Sequence, residues 1–291
     1  MLAIQNLMMY TISEKESEDT SMLQNLHTHT TFCDGKNSAR EMIESAISMG
    51  FDSLGFSGHA PTVQKTDWEM KDVDGYKNEI LKLKEEYADK IKIFLGIELD
   101  RYSEGAFEDK GFEYKIGSVH MAFKNGAQID YDHAYEQSRS YIDELFDGNS
   151  LEYARLYFST LAELPSVFDF DFVGHFDVLT KFSEKHPELI PIEGKEYRNM
   201  ALEALHTLKE THEFFEVNTG AISRGHRTTP YPAPFILDEM KALNCKLILT
   251  SDCHAGNAID CNFKEAKEYI KSHGFDHLYY LTESGFKGER F

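Results

Sequence analysis

The sequence predicts an α/β fold in which a mostly parallel sheet closes into a barrel, and three observations predict it. From Leu23 onward, short β-branched or aromatic runs alternate with longer stretches of helical period, the signature of βα units. Nearly every candidate strand is apolar until its end, where it closes on His, Glu, Asn or Asp; in a closed parallel barrel those residues meet at the C-terminal rim, where such barrels carry their chemistry. The chain of 291 residues, 41% hydrophobic and 27% charged, is long enough to bury a sizeable core and too mixed to be fibrous or disordered.

The candidate strands, in order, are LQNLH (23–27), SLGFSGH (53–59), IKIFLGIEL (91–99), YKIGSVH (114–120), DFDFVGH (169–175), FFEVN (214–218) and KLILTSD (246–252), with a weaker run, HLYYL (277–281), as a possible eighth. Between them lie amphipathic stretches at 38–50, 75–90, 195–210 and 262–274, two of which stop at Gly50 and Gly274 as helices capped by glycine do. Residues 125–168 hold two helix-like segments with no clear strand between them and read as a helical insertion into one domain spanning 23–291. TPYPAP (229–234) is a stiff loop entering a helix. The first 22 residues, an apolar stretch running into the acidic SEKESEDT, read as a loosely attached leader, with Met22 an alternative start; they lack the basic region of a secretory signal.

Charge and cysteine usage narrow the partners. Lys and Arg number 30 against 50 Asp and Glu, a net charge of −20, which opposes a broad grip on nucleic acid or an anionic membrane. No stretch approaches the ~18 apolar residues of a membrane helix. Four cysteines without a CxxC pair do not make a disulfide framework and suit a reducing compartment, the cytoplasm by default. A small molecule is therefore the expected partner.

The motifs at the strand ends carry the chemistry. His27-Thr28-His29 closes the first run, and since residues i and i+2 of a strand share a face, two imidazoles can converge on one ion. Asp34 follows in FCDGKN, where Gly35 permits a tight turn. His59, His120 and His175 end the second, fourth and fifth strands, and Asp252-Cys253-His254 repeats the one-face spacing after the seventh. Glu98 lies in the apolar strand LGIELD, where an unpaired carboxylate is costly to bury and a metal ion is its natural partner. Singly, each has a plainer reading as a turn residue or a core histidine; together they predict a metal site. Imidazoles mixed with carboxylates suit Zn, Fe or Mn rather than Ca or Mg. Nine such residues, at four to six ligands per ion, imply two or three divalent ions, with Glu98 bridging a pair about 3.5–4 Å apart and a bound water acidified toward pKa ~7.

The ordered motifs HTHTTFCDGKN, GFSGHAP, LGIELD, IGSVH, FVGHFD, EVNTGA and LTSDCHAGN, spanning about 23–260, resemble the PHP (polymerase and histidinol phosphatase) superfamily. The resemblance implies a distorted TIM-like (β/α)7 barrel with a trinuclear centre: His27, His29, Glu98 and Asp252 on one metal, Glu98, His120 and His175 on a second, Asp34, His59 and His254 on a third. All nine positions hold a usable ligand, unlike the degenerate domains of that superfamily. The motif EVNTGAISRGHRTTPYP and the inserted helices are similar to monofunctional histidinol-phosphate phosphatases, which implies hydrolysis of L-histidinol phosphate.

A phosphomonoester also needs cationic groups beyond the metals. Arg224 is the first candidate to bind and stabilise the phosphoryl group, His226 to bind the substrate or protonate the leaving alkoxide, and Lys181 and Asn218 to bind substrate; Asp252 joins Arg224 and His226 as catalytic. Other expectations compatible with the motifs are a related phosphoesterase of a nucleotide or sugar phosphate, and a metal-dependent amidohydrolase, although the metal-bridging lysine of the latter is missing.

Overall fold

Parallel pairing follows from where the β-branched and aromatic runs fall. The computed structural model describes residues 22–64 and 66–291; the expected leader lies, except for Met22, outside them. Seven strands, β1 (Gln24–Asn25), β2 (Ser53–Phe56), β3 (Lys92–Asp100), β4 (Tyr114–Ser118), β5 (Phe172–Val173), β6 (Phe214–Asn218) and β7 (Lys246–Thr250), pair in chain order and all parallel. A parallel bridge between Thr28 and Cys253 returns the last strand to the first: the His29 N–H donates to the Cys253 carbonyl at 2.9 Å and the Cys253 N–H to the His27 carbonyl at 3.3 Å. The sheet is thus the nearly closed, distorted seven-stranded barrel that the sequence predicts.

Among the described residues eight helices flank it: α1 (Ala39–Ser48), α2 (Val73–Glu86), α3 (Tyr135–Leu145), α4 (Ser150–Glu163), α5 (Lys195–Lys209), the single turn α6 (Gly220–Ser223), α7 (Pro234–Ala242) and α8 (Phe263–Ser272). Local sequence explains their ends. Ser38 and Glu41 form a reciprocal capping box at the start of α1, satisfying two otherwise orphan amides. Gly50 and Gly274, beyond α1 and α8, take φ of +79° and +83°, a conformation glycine enters without steric penalty. Pro234 opens α7 at a position whose N–H no helix uses.

Two hairpins depart from the sequence reading. HLYYL is a strand, His277–Thr282, but it pairs antiparallel with Gly285–Arg290 and stays outside the barrel order. Gln24 fixes it there, donating to the Leu281 carbonyl at 3.0 Å and accepting from the Leu281 N–H at 2.7 Å. Leu281 then joins Leu26, Phe94, Tyr114, Ile116, Phe172 and Ile248 in a buried cluster filling the N-terminal end of the barrel. The second hairpin, Met121–Lys124 with Ala127–Asp130, precedes the expected helices α3 and α4; its loop is Asn125-Gly126, with φ of +53° and +83°, the Asn-Gly pair that two-residue hairpins favour. No helix among the described residues is long and apolar enough to cross a membrane.

Floor packing leaves no slack at Gly96, on β3 beside Tyr114 of β4. A Cβ there would stand 2.2 Å from the Tyr114 ring, whose hydroxyl donates to the Leu26 carbonyl at 2.6 Å. Gly96→Ala is expected to cost about 1–3 kcal/mol or more by overpacking, read as a lower urea midpoint with little change in slope.

Candidate metal centre

Strand order determines which side chains meet. β3 delivers Glu98 to the barrel mouth, fully buried, with the two ends of its carboxylate facing different histidines. Oε2 lies 3.2 Å from His27 Nε2, 3.6 Å from His29 Nε2 and 2.8 Å from His59 Nδ1. Oε1 lies 3.1 Å from both His120 Nε2 and His175 Nε2, which are themselves 3.1 Å apart. Asp252 Oδ1 closes the other side, 3.1 Å from His29 Nε2 and 3.7 Å from His27 Nε2. A third grouping forms at the edge: Asp34 Oδ2 is 3.1 Å from His254 Nε2, and Asp34 Oδ1 is 3.7 Å from both His59 Nε2 and His29 Nδ1.

The structure therefore brings all nine sequence-predicted residues together. His59 touches two groupings, since its ring spans from Glu98 to Asp34. One local expectation needs correction. Asp252 and His254 do not converge as alternate residues of a strand, because β7 ends at Thr250 and Asp252 sits at φ +44°, in the left-handed region that Asp tolerates. The turn of Asp34 is pressed against the histidine pair, and a Cβ at Gly35 would lie 2.5 Å from the His29 carbonyl carbon and the Thr30 nitrogen.

The donor set fits metal ions on its own chemistry. His27 Nε2, His29 Nε2, His59 Nδ1 and Glu98 Oε2 are buried, aimed at one another and without a hydrogen-bond partner, a costly state for protein alone. Burial opposes charge on Glu98, yet His27, His120 and His59 hold its carboxyl well below the ordinary range. Burial, with His254 and His59 alongside, pushes His29 down to about 3, so it is the neutral imidazole that ligation requires. Against burial, the carboxylates of Glu98, Glu216 and Asp252 draw His27 well above its usual value, evidence of a local field that favours positive charge. Four triads or tetrads in this cluster have ligand atoms within 4.8 Å of one another.

Glu216 of β6 is a functional residue that the sequence motifs do not single out. Its Oε1 lies 2.6 Å from His27 Nδ1 and accepts from the Thr250 hydroxyl at 2.6 Å; its Oε2 accepts from the His175 N–H at 2.5 Å and from Asn218 Nδ2 at 3.0 Å. A carboxylate on the far nitrogen fixes the tautomer and direction of a ligating imidazole. Asp100 does similar work for His120, accepting from its N–H at 2.7 Å with Nδ1 3.5 Å away. The signal was present in FFEVN, an acid inside an apolar strand, as in LGIELD.

A family model of the PHP domain matches residues 25–220, well over half of the chain. The chain belongs to the PHP family. A histidinol-phosphatase of Bacillus subtilis is 27% identical over 252 residues, covering 78% of this chain and 92% of that one; one of Lactococcus lactis is 24% identical over 269 residues, covering 90% and 94%. Among solved structures, the Lactococcus lactis histidinol phosphate phosphatase complexed with Zn, L-histidinol and phosphate superposes with a TM-score of 0.70 at 21% identity, covering 91% of this chain and 98% of that one.

In this PHP protein the cluster opens into a cleft of about 320 Å³, lined by Lys181 and Arg224 as well as by Asp34, His59, His120 and Asp252. Arg224 donates from Nη1 to the Asp252 carbonyl at 3.0 Å and from Nη2 to Asp252 Oδ2 at 3.2 Å, which leaves Asp252 Oδ1 to the histidines. Lys181 Nζ lies 3.5 Å from Asp132 Oδ2 and donates to the Asp132 carbonyl. Two candidates for substrate contact are placed elsewhere. Asn218 is fully buried, with Nδ2 on Glu216 and Oδ1 accepting from the Gly220 N–H at 2.8 Å, so both ends are consumed within the fold. His226 does not line the cleft; its ring stands edge-on to Phe182 with centroids 5.2 Å apart.

The Glu216–His27 pair yields a test. Glu216→Gln is expected to weaken zinc retention about 10–100-fold with the far-UV circular dichroism spectrum preserved, measured by competition against a chromogenic chelator.

Proposed function

We propose that this chain is a metal-dependent histidinol-phosphate phosphatase, hydrolysing L-histidinol phosphate to L-histidinol and inorganic phosphate in histidine biosynthesis in the cytoplasm. The observation that carries the proposal is Glu98, buried among five imidazoles at the foot of a cleft that also presents Arg224 and Lys181. The histidinol-phosphatases of Bacillus subtilis and Lactococcus lactis, matched over most of their length, support the same substrate.

Two or three Zn, Fe or Mn ions fit the donor set: one on His27, His29, Glu98 and Asp252, one on Glu98, His120 and His175, and one on Asp34, His59 and His254. Bound there, the ions supply Lewis acidity to the phosphoryl oxygens and a water acidified toward pKa ~7. The remaining work falls to the protein. Arg224 presents guanidinium charge to the equatorial oxygens, a task suited to its planar donors, while its hold on Asp252 keeps one carboxylate oxygen aimed into the cluster. Lys181 adds a second cation at the cleft wall.

The deciding experiment is release of inorganic phosphate after reconstitution with Mn, Fe or Zn, with L-histidinol phosphate set against nucleoside monophosphates, sugar phosphates and glycerol phosphate. L-histidinol phosphate is expected to be preferred by kcat/KM, and chelation to abolish turnover; equal rates across the panel, or full activity after metal removal, would refute the assignment. His29→Ala and Asp252→Ala are expected to abolish turnover through loss of metal. Arg224→Ala should lower kcat/KM by about 10²–10³, in the range for removing one transition-state donor, with metal content measured in parallel to separate its two contacts.

A further inference from the structure

Trp68 occupies a place that packing does not explain. It is the only tryptophan of the chain, it does not belong to the hydrophobic core, and it remains partly exposed on the wall of the cleft. Its ring meets His59 edge-on with centroids 4.8 Å apart and tilts against His120 at 5.4 Å. The backbone around it is pinned. The Ala60 N–H donates to the Glu98 carbonyl at 2.8 Å and the Met70 N–H to the His59 carbonyl at 3.0 Å. Glu69, buried next to Trp68, accepts from the Thr62 N–H at 2.9 Å and the Thr62 hydroxyl at 2.8 Å. A large ring is thus held at a fixed point beside the cluster with one side left to the cleft.

The charges of the cleft are divided as well. Arg224 and Lys181 stand for an anion, and the charge of Asp132 is offset by Lys181. Asp67 and Asp130 line the same cleft and have no cationic side chain within ion-pair distance among the described residues; the partners of Asp130 are neutral, the Gln128 amide donating to it at 2.8 Å and the Tyr141 hydroxyl beside it. An indole face attracts organic cations and stacks on planar rings, and a carboxylate beside it selects for positive charge. We propose that Trp68, with Asp67 and Asp130, binds the ammonium-bearing imidazole half of the phosphomonoester and is the specificity-determining wall of the site. The proposal rests on the reading of the site as a histidinol-phosphate phosphatase and adds the residues that make the organic half matter.

Because Trp68 is the sole indole, its fluorescence reports on this wall directly. Titration of the metal-loaded protein with L-histidinol, which lacks the phosphate, is expected to give a saturable emission change that glycerol does not. Trp68→Ala is expected to lower the ratio of kcat/KM for L-histidinol phosphate to that for glycerol phosphate by about tenfold, mainly through KM, and Trp68→Phe to recover most of that ratio. An emission spectrum indifferent to L-histidinol overturns the proposal, as does an equal proportional loss on both substrates, the mark of a ring that only shields His59 and His120. Should the wild-type protein hydrolyse other monoesters and not L-histidinol phosphate, the functional assignment falls; the L-histidinol titration still decides Trp68, a saturable response keeping the amino-imidazole subsite and a flat one removing it.

Discussion

A carboxylate buried at the centre of the barrel mouth is the constraint on which the rest depends. Stripping water from Glu98 costs several kcal/mol, and the strands answer by bringing five imidazoles to its two oxygens. They come from the ends of β1, β2, β4 and β5, so no local segment builds the site. Closure of the barrel and assembly of the cluster are one event: the bridge from Thr28 to Cys253, just beyond the ends of β1 and β7, lies between His27 and His29 on one side and between Asp252 and His254 on the other. A chain that fails to close there loses four of its nine candidate ligands together.

The rim loops are braced where catalysis needs stiffness. Arg227, almost fully buried, donates from Nη1 to the Thr180 hydroxyl at 2.5 Å and from Nε to the Thr229 carbonyl at 3.2 Å, and Glu184 accepts from the backbone and hydroxyl of both Thr228 and Thr229. These bonds tie the loop carrying Lys181 to the one carrying Arg224. Asp177 adds a further tie, accepting from the Ala233 N–H at 3.1 Å. Cations that must meet a phosphoryl group within a few tenths of an ångström are best carried on loops with little freedom left.

Much of this was legible in the sequence because a parallel barrel converts sequence position into spatial position by a simple rule: strand ends meet. All seven barrel strands and eight of the nine cluster residues follow from it; Asp34, in the loop FCDGKN, is reached only through the family resemblance. The rule is silent on groups one layer behind. Glu216 looks like Glu98 in sequence, an acid in an apolar strand, but which of the two faces the cluster and which props His27 from behind depends on strand stagger. Asn218 ends its strand as the histidines do, yet its amide is used up on Glu216 and Gly220. His226, two residues from Arg224, lies across a positive-φ glycine, Gly225, and the turn carries its ring toward Phe182. The Asn125-Gly126 turn was readable, whereas the placement of His277–Thr282 outside the barrel was not, since it depends on Gln24, some 250 residues away.

The overall charge is at odds with a phosphate ester, until distance is considered. A net charge of −20 opposes any anion at long range, but at physiological ionic strength that field decays over about 8 Å, and a ligand within the cleft feels mainly Arg224, Lys181 and the cluster. For a substrate whose organic half is positive the remaining field is no obstacle, because its two charges largely cancel at a distance and separate only when each end reaches its own wall. Nucleotides and sugar phosphates carry no such compensation. For the proposed substrate the acidic surface and the mixed charge of the cleft would thus act in the same direction, discriminating before contact by net charge and after contact by its arrangement.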